Sequence, residues 1–168
     1  SKLFNFSSKI TVILGPNTSG KTNILEAIYF LSLGKSFRAK IEEEVINYNN
    51  DISKVKGRIK LDGERVDLEV VLTRGTIDIG AKRPEKVQRK KLLVNGISKR
   101  LIDFAGRFKI VFFGPEDLEL VTETPTLRRR FLDSVLSQVD REYRRALLSY
   151  EKGLRQRNKL LLRIREEG

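Results

Sequence analysis

Eight consecutive residues near the start of the chain have the types and spacing of a phosphate-binding loop. They are Gly15-Pro16-Asn17-Thr18-Ser19-Gly20-Lys21-Thr22 and match the Walker A pattern G-x-x-x-x-G-K-S/T. In such a loop the glycines let the backbone curl so that successive N–H groups point at phosphate oxygens. Lys21 is predicted to reach the β- and γ-phosphates of a nucleotide, and the Thr22 hydroxyl is predicted to bind Mg²⁺. The alternative is a glycine turn that matches the pattern by chance.

The residues on either side are those that such a loop needs. Before it, the β-branched run Ile10–Leu14 predicts a buried strand. After it, an apolar pattern predicts a helix from about Gly20 to Leu33 that ends at Gly34. The N-terminus of that helix would add partial positive charge at the phosphates.

The composition excludes several kinds of catalytic site. The 168 residues include neither cysteine nor histidine, which excludes disulfides, Ser-His-Asp and Cys-His catalysis, and zinc held by those residues. The metal that the sequence supports is Mg²⁺ bound together with a nucleotide. No run of about 18 apolar residues and no signal peptide are present, so we expect no membrane span. The absence of cysteine is compatible with a reducing cytoplasm, and we expect a cytoplasmic protein.

The length fits one domain with a sizeable core. The chain has no methionine, and few residues precede Ile10. We therefore expect it to be a piece of a longer protein whose first strand is incomplete.

The net charge of +12 is concentrated in two parts of the chain. Residues 82–109 contain ten Lys or Arg against two acids, and residues 126–168 contain twelve against six. Two such blocks favour nucleic acid as the partner, bound through its phosphates without sequence preference; the alternative is a solvated charged face. The residues predicted to contact DNA are Lys90, Lys91, Arg128, Arg129 and Arg130. The alternative partners of the three arginines are Glu116, Asp117, Glu119 and Glu123.

An antiparallel β-region is predicted after the first helix. Val55–Leu61 and Val66–Thr73, separated by Asp62-Gly63-Glu64, indicate a hairpin. Further strands are predicted at Thr76–Ile79, Lys91–Val94 and Ile110–Phe113, and a type I′ turn is predicted at Asn95-Gly96.

Helices are predicted for the remainder of the chain. The first starts at Pro115, the second near Pro125, and the third runs from about Asp140 to the end. In the third, a seam of apolar side chains is typical either of a coiled coil or of a helix packed on its own domain. Its members are Tyr143, Leu147, Tyr150, Leu154 and Leu161.

Several stretches between about residues 15 and 160 resemble the N-terminal lobe of the RecF family, bacterial recombination-repair ATPases related to SMC heads. They are the phosphate-binding loop and its helix to Ile28, Leu33-Gly34-Lys35-Ser36-Phe37-Arg38, Val111-Phe112-Phe113-Gly114-Pro115-Glu116-Asp117-Leu118, Pro125 with Arg128-Arg129-Arg130-Phe131-Leu132-Asp133, and Tyr150 with Leu154, Gln156-Arg157-Asn158 and Leu160. The resemblance implies an α/β fold of the P-loop NTPase class. Residues 1–124 would form lobe I of an ABC-type ATPase head with an antiparallel β-region, and residues 125–168 would begin the helical arm or lobe II.

The resemblance also implies a function. RecF-like proteins are ATP-dependent DNA-binding proteins that form a homodimer around ATP and, with RecO and RecR, assist RecA loading at gapped DNA. They take part in DNA replication, DNA damage repair and the SOS response.

The same resemblance assigns roles to particular residues. Gly15, Gly20, Lys21 and Thr22 carry over directly, and the other expected nucleotide contacts are Pro16, Asn17, Thr18, Ser19, Asn23 and Arg38. Arg38 matches an arginine that SMC-like heads place beside the nucleotide or DNA; its alternative is a surface loop arginine. Glu116 and Asp117 match the Q-loop, which touches Mg²⁺ and the attacking water; their alternative is an acid pair at a helix N-terminus.

Two motifs of an ABC-type head are not found in the sequence: the signature motif, and a Walker B strand with its catalytic glutamate. Ile110–Phe113 comes closest to Walker B, but Gly114-Pro115 intervenes before Glu116. We therefore expect ATPase activity from a full-length dimer and little or no turnover from these 168 residues.

Two other functions stay open. One is a complete small P-loop phosphotransferase, such as a nucleotide kinase, with Lys82–Lys91 as its lid; the predicted Asn95-Gly96 hairpin fits an antiparallel region better. The other is a different SMC-like or overcoming-lysogenization-type head. The Gly-Pro-Glu-Asp and Arg-Arg-Arg-Phe-Leu-Asp stretches favour the RecF family over it.

Overall fold

The computed structural model describes residues 2–39, 41–61, 63–77, 85–118, 120 and 124–167. Its α-helices are α1 (Lys21–Leu33), α2 (Leu101–Phe104), α3 (Pro125–Val139) and α4 (Arg141–Glu167), and Glu42–Val45 and Pro115–Leu118 form short 3₁₀ helices. The strands are β1 (Ile52–Leu61), β2 (Glu64–Thr73), β3 (Thr76–Ile77), β4 (Glu85–Lys86), β5 (Lys90–Val94) and β6 (Ile97–Lys99).

The predicted hairpin is the main part of the sheet. β1 and β2 pair antiparallel from Ile52 opposite Thr73 to Leu61 opposite Glu64. Alternate residues of β2, from Val66 onward, are buried, as expected for a sheet with one face on a core. Asp62, which the sequence places in the turn, lies outside the described residues.

A second predicted turn completes a four-stranded sheet in the order β1-β2-β5-β6. Asn95 and Gly96 have φ values of 49° and 78°, and positive φ at both central residues is what a type I′ turn requires. The strand predicted at Thr76–Ile79 is present as β3, which pairs with β4. Residues 78 and 79 lie outside the described part of the chain, as do residues 82–84 of the candidate lid.

Helix α1 packs on the buried face of this sheet. Phe30 and Leu31 join the core formed by β2, β5 and α2. The close approach depends on Gly57 of β1, because a Cβ at that position would collide with Leu31 Cδ1. The helix ends as predicted: Gly34 adopts a left-handed conformation with φ 66°, and its N–H donates to the Phe30 carbonyl over 2.8 Å.

The two predicted C-terminal helices are both present. Pro125 occupies the first turn of α3, and the Asp140 Oδ1 atom accepts the N–H groups of Glu142 and Tyr143 at 2.8 and 3.0 Å, which caps the start of α4. The predicted apolar seam of α4 is buried only in its first part. Tyr143 and Leu147 are half-buried against the domain, whereas Tyr150, Leu154 and Leu161 are exposed.

Two predicted buried strands are not formed. Residues 2–20 and 105–114 contain no strand, and the side chains of Ile10, Val12 and Leu14 are 81%, 71% and 86% exposed. Val111 and Phe113 are likewise 88% and 69% exposed. Strand propensity depends on a hydrogen-bonded neighbour and on burial, and among the described residues neither segment has a paired strand beside it.

Candidate functional site

The backbone of the loop between residues 15 and 20 closes on itself. The Ser19 N–H donates to the Pro16 carbonyl over 3.4 Å, and a Cβ at Gly15 would lie 2.9 Å from Ser19 Oγ. Thr18 and Gly20 have φ values of 66° and 91°. Left-handed residues reverse the direction of peptide groups and so form a concave surface of N–H groups that suits an anion.

Lys21 lies over this loop. Its ammonium donates to the carbonyl oxygens of Gly15 and Pro16, each over 2.7 Å. An ammonium has three N–H donors, so these two contacts leave one for a ligand. The contacts hold the positive charge at the loop that is predicted to cradle the phosphates.

The start of α1 is open to an anion. Its first turn contains no acidic residue, and no side chain caps the helix at Gly20. The first N–H groups of a helix have no partner within the helix and carry partial positive charge. Thr22 is the second residue of α1 and is exposed.

Arg38 is attached to the same helix. Its Nη2 atom donates to Asn23 Oδ1 over 3.1 Å and to Glu26 Oε2 over 2.8 Å. Glu26 is buried, whereas the Arg38 side chain is 55% exposed. The structure thus places Arg38 beside the first two turns of α1. The contribution of Glu26 was missed by the sequence analysis; its only signal was one acid within the apolar helix N-I-L-E-A-I-Y-F-L.

Three aromatic rings connect the candidate Q-loop segment with α1. Phe37 and Phe112 stack with centroids 4.3 Å apart, and Tyr29 meets them edge-on at 5.4 and 5.9 Å. Beyond Phe112, the Gly114 N–H donates to Asp117 Oδ2 over 2.6 Å, so Asp117 closes the turn at the 3₁₀ helix. The side chain of Glu116 lies outside the described residues.

The predicted DNA-contacting residues differ in their surroundings. Arg128, Arg129 and Arg130 are exposed at the start of α3, and none forms an ion pair with a carboxylate in the described part of the chain. Lys91 is exposed, whereas Lys90 forms an ion pair with Glu42. Glu119 and Glu123, alternative partners of the three arginines, lie outside the described residues.

The solvent face of the four-stranded sheet is a further basic surface, which the sequence analysis did not identify. Lys54 and Lys56 share the carboxylate of Glu69 at 3.4 and 3.1 Å. Arg58 donates to both oxygens of Asp67 at 2.7 and 3.1 Å, and this hydrogen bonding holds the pKa of Asp67 below its ordinary value. Side chains alternate between the two faces of a strand, and this alternation, combined with the register of the sheet, places these residues on one face. It was the signal in the sequence that could have identified the surface.

A buried polar junction joins the C-terminal end of α1 to the helices that follow. The Ser32 hydroxyl lies 2.5 Å from the Phe108 carbonyl oxygen and 3.1 Å from Gln138 Oε1, which also accepts the Ile110 N–H over 2.8 Å. Arg144 donates to the Ile102 carbonyl over 2.8 Å and to those of Ser137 and Gln138 at the end of α3. Burial lowers the pKa of the Arg144 guanidinium.

Other kinds of site find no support in the described residues. They contain no group of three or more His, Cys, Asp or Glu side chains arranged to hold a metal ion. No helix among them has the length and hydropathy needed to cross a bilayer.

Comparison with known proteins agrees with this geometry. The profile of the family described as RecF/RecN/SMC N terminal domain matches residues 1–118. A "DNA replication and repair protein RecF" from Halalkalibacterium halodurans is 39% identical over 161 residues, which cover 95% of this chain and 40% of the relative. The protein of the same name from Oenococcus oeni is 38% identical over 165 residues, covering 98% of this chain and 41% of the relative.

Two solved structures are similar as well. A RecF-ATPrS structure, of a recombination mediator protein in the RecFOR pathway, has a TM-score of 0.71 at 35% identity and covers 92% of this chain and 39% of that chain. The corresponding RecF-ATP structure has a TM-score of 0.68 at 34% identity, covering 88% and 38%. This chain thus spans about 40% of the length of its curated relatives.

These matches confirm the α/β P-loop fold of an ABC-type head and favour it over a small kinase. A helix that follows a phosphate-binding loop and packs on an antiparallel β-region is consistent with lobe I of such a head. The chain belongs to the RecF/RecN/SMC N-terminal domain family and, within it, aligns with RecF proteins.

Proposed function

We propose that this chain provides the nucleotide-binding part of an ATP-dependent DNA-binding protein of recombinational DNA repair. The observation that carries the proposal is the P-loop, with its left-handed residues, its uncapped helix start and an ammonium 2.7 Å from two loop carbonyls. The similarity to RecF structures solved with ATP and ATPrS supports ATP as the ligand.

In this proposal each residue of the loop has a defined task. The N–H groups of residues 15 and 17–22 hold the phosphates. Pro16, Asn17, Thr18 and Ser19 form the loop wall, and Asn23 and Arg38 lie beside it. Lys21 exchanges its carbonyl contacts for phosphate oxygens. The Thr22 hydroxyl fits a Mg²⁺ ligand, because Mg²⁺ prefers oxygen donors and is usually bound together with substrate phosphates. Asp117, and Glu116 next to it, would face the metal and water as Q-loop acids.

DNA is the proposed macromolecular partner. Arg128, Arg129, Arg130 and Lys91 are exposed cations without a carboxylate partner in the described part of the chain. Phosphate contacts of this kind bind gapped or duplex DNA irrespective of sequence. The RecFOR pathway of the similar structure supports RecO and RecR as partners. The loading of RecA, and a cytoplasmic location, are proposed from the resemblance to the RecF family. An ATP-dependent homodimer of the full-length protein would complete the catalytic site.

The proposed division of the chain places lobe I at residues 1–124 and the start of the arm at residues 125–168. The change from β-region to two long helices at Pro125 supports this boundary.

The proposal is tested by the dependence of DNA binding on nucleotide. Fluorescence anisotropy of a labelled gapped duplex is measured for the full-length protein with and without Mg-ATP. Tighter DNA binding with Mg-ATP is expected for the wild type and not for Lys21→Ala. Equal DNA affinity with and without ATP in the wild type would contradict the proposed coupling.

A further inference from the structure

We infer that Glu26 is a positioning residue that holds the Arg38 guanidinium at the phosphate-binding end of α1, leaving part of that guanidinium free to contact the nucleotide phosphates. The inference rests on the proposed function, since it requires nucleotide at the P-loop. It assigns a role to a residue outside the Walker A motif.

Both oxygens of Glu26 are used to fix the loop that carries Arg38. Oε2 accepts from Arg38 Nη2 over 2.8 Å, and Oε1 accepts from the Ser36 hydroxyl. The Ser36 Oγ atom in turn accepts the backbone N–H groups of Arg38 and Ala39 at 2.9 and 2.8 Å. Glu26 therefore controls both the backbone and the side chain of Arg38.

Arg38 keeps donors for a ligand in this arrangement. Its contacts to Asn23 and Glu26 are both made by Nη2, and a guanidinium has donors at Nε and Nη1 as well. The side chain is 55% exposed, whereas the Glu26 side chain is 5% exposed. One edge of the guanidinium is thus held by protein, and the other is open to solvent.

The position of the pair matters for an anionic ligand. Asn23 is the third residue of α1, so its backbone N–H belongs to the uncapped first turn. Glu26 lies one turn further along and is the first acid of the helix. A carboxylate so close to the phosphate-binding end would repel phosphates, and Arg38 neutralises it. The fork of the guanidinium suits both a carboxylate and a phosphate.

A double-mutant cycle on nucleotide affinity tests the inference. Glu26→Gln, Arg38→Gln and the double variant are made in the full-length protein, and the Kd for Mg-ATP is measured by calorimetry. Glu26→Gln keeps the side-chain volume and an acceptor for Ser36, and it is expected to raise the Kd by about threefold to tenfold, the scale of one partly exposed charge-assisted contact. Arg38→Gln is expected to raise it more, because it also leaves the buried carboxylate unpaired.

The Kd of the double variant for Mg-ATP is the decisive measurement. If Glu26 acts through Arg38, removing the carboxylate from the Arg38→Gln protein brings no second loss of affinity, so the double variant binds as tightly as Arg38→Gln alone or more tightly. If Glu26 serves only the stability of the helix, Glu26→Gln leaves the Kd unchanged, and if it acts independently of Arg38, the losses of the two single variants add in the double variant. Either result overturns the inference. Thermal melts of the same proteins report stability separately from affinity.

Two further variants keep the result interpretable. If Glu26→Gln does not fold, Arg38→Lys is used, since it leaves Glu26 and its bond to Ser36 intact; a Kd unchanged from wild type would then overturn the inference. Lys21→Ala serves as the reference for the P-loop itself. If Lys21→Ala binds Mg-ATP as tightly as the wild type, the proposed function is contradicted. If Lys21→Ala abolishes binding but the effects of Glu26→Gln and Arg38→Gln are additive, only the role of Glu26 is contradicted.

Discussion

In the proposed nucleotide site, the neighbours Lys21 and Thr22 have different tasks at the start of α1. The Lys21 ammonium, held 2.7 Å from two loop carbonyls, supplies charge. Thr22 supplies a neutral oxygen that is exposed at the helix start. A point charge attracts phosphate with or without a metal, whereas a hydroxyl oxygen matters chiefly as a ligand of the cation. The two contributions are therefore separable by substitution.

Substitution of Thr22 tests the metal-binding role. Thr22→Val removes the hydroxyl at nearly the same shape, and Thr22→Ser retains it. We expect Thr22→Val to lose the gain in nucleotide affinity that Mg²⁺ gives to the wild type, and Thr22→Ser to keep most of it. The measurement is the Kd for ATP with Mg²⁺ and with excess chelator. A Thr22→Val protein that keeps the full Mg²⁺ effect would show that the metal is held elsewhere.

Local signals account for what the sequence predicted well. The P-loop, the Gly34 end of α1 and the Asn95-Gly96 turn each depend on a few adjacent residues and their allowed φ values. Ile10–Leu14 and Ile110–Phe113 are predicted as buried strands because they have the apolar, β-branched or aromatic composition of such strands. A strand also needs a neighbouring strand to pair with, and no local pattern specifies that neighbour. Glu26 was not predicted for a related reason, because its hydrogen-bond partners Ser36 and Arg38 lie in another segment of the chain.

At the scale of elements, the contact between α1 and β1 sets how closely the P-loop helix lies on the sheet. Gly57→Ala would place a methyl group against Leu31 Cδ1, and we expect it to destabilise the fold by about 1–3 kcal/mol, as overpacked sites do. Gly153→Ala on α4 is the matched control, because a Cβ there meets nothing within 4 Å. It is expected to stabilise by about 0.5–1 kcal/mol. Urea denaturation measures both; equal effects from the two variants would refute the packing argument.

The junction of α2 with α4 is expected to depend on pH through Asp103. This carboxylate accepts from Arg141 over 2.8 Å and from Arg100 over 3.1 Å, and these hydrogen bonds hold its pKa below the ordinary value. A carboxyl whose folded-state pKa is depressed stabilises the fold above its ordinary pKa of about 3.9, and that contribution is lost as the pH falls through the folded-state pKa.

Asp103→Asn is therefore expected to be less stable than the wild type at neutral pH, and the difference should shrink as the pH falls below about 4. Chemical denaturation at a series of pH values measures it. A difference that stays constant from neutral to acidic pH would mean that the ion pairs with Arg100 and Arg141 do not contribute.

Across the whole molecule, the positive charge is distributed over more than one face. The arginines at the start of α3 are exposed, while Lys54, Lys56 and Arg58 on the sheet are partly neutralised by Glu69 and Asp67. Cations already paired with carboxylates release fewer counterions when they meet DNA, so the unpaired arginines should dominate phosphate binding.

Charge reversal separates these surfaces. Arg128→Glu, Arg129→Glu and Arg130→Glu together, in the full-length protein, are expected to lower DNA affinity. They should also flatten the plot of log K against log salt by roughly 0.9 for each duplex phosphate that the protein no longer neutralises. The analogous reversal of Lys54, Lys56 and Arg58 is expected to have a smaller effect. An unchanged slope with reduced thermal stability would make Arg128–Arg130 structural residues.

The most direct test of the central claim, that residues 15–22 bind nucleotide, is a calorimetric titration of Mg-ATP into wild-type protein and Lys21→Ala. The wild type is expected to give a saturable heat with one site per chain. Lys21→Ala is expected to weaken binding by at least about tenfold, since it removes the charged donor held over the loop. Equal affinity of the two proteins would contradict the assignment of the P-loop as the nucleotide site.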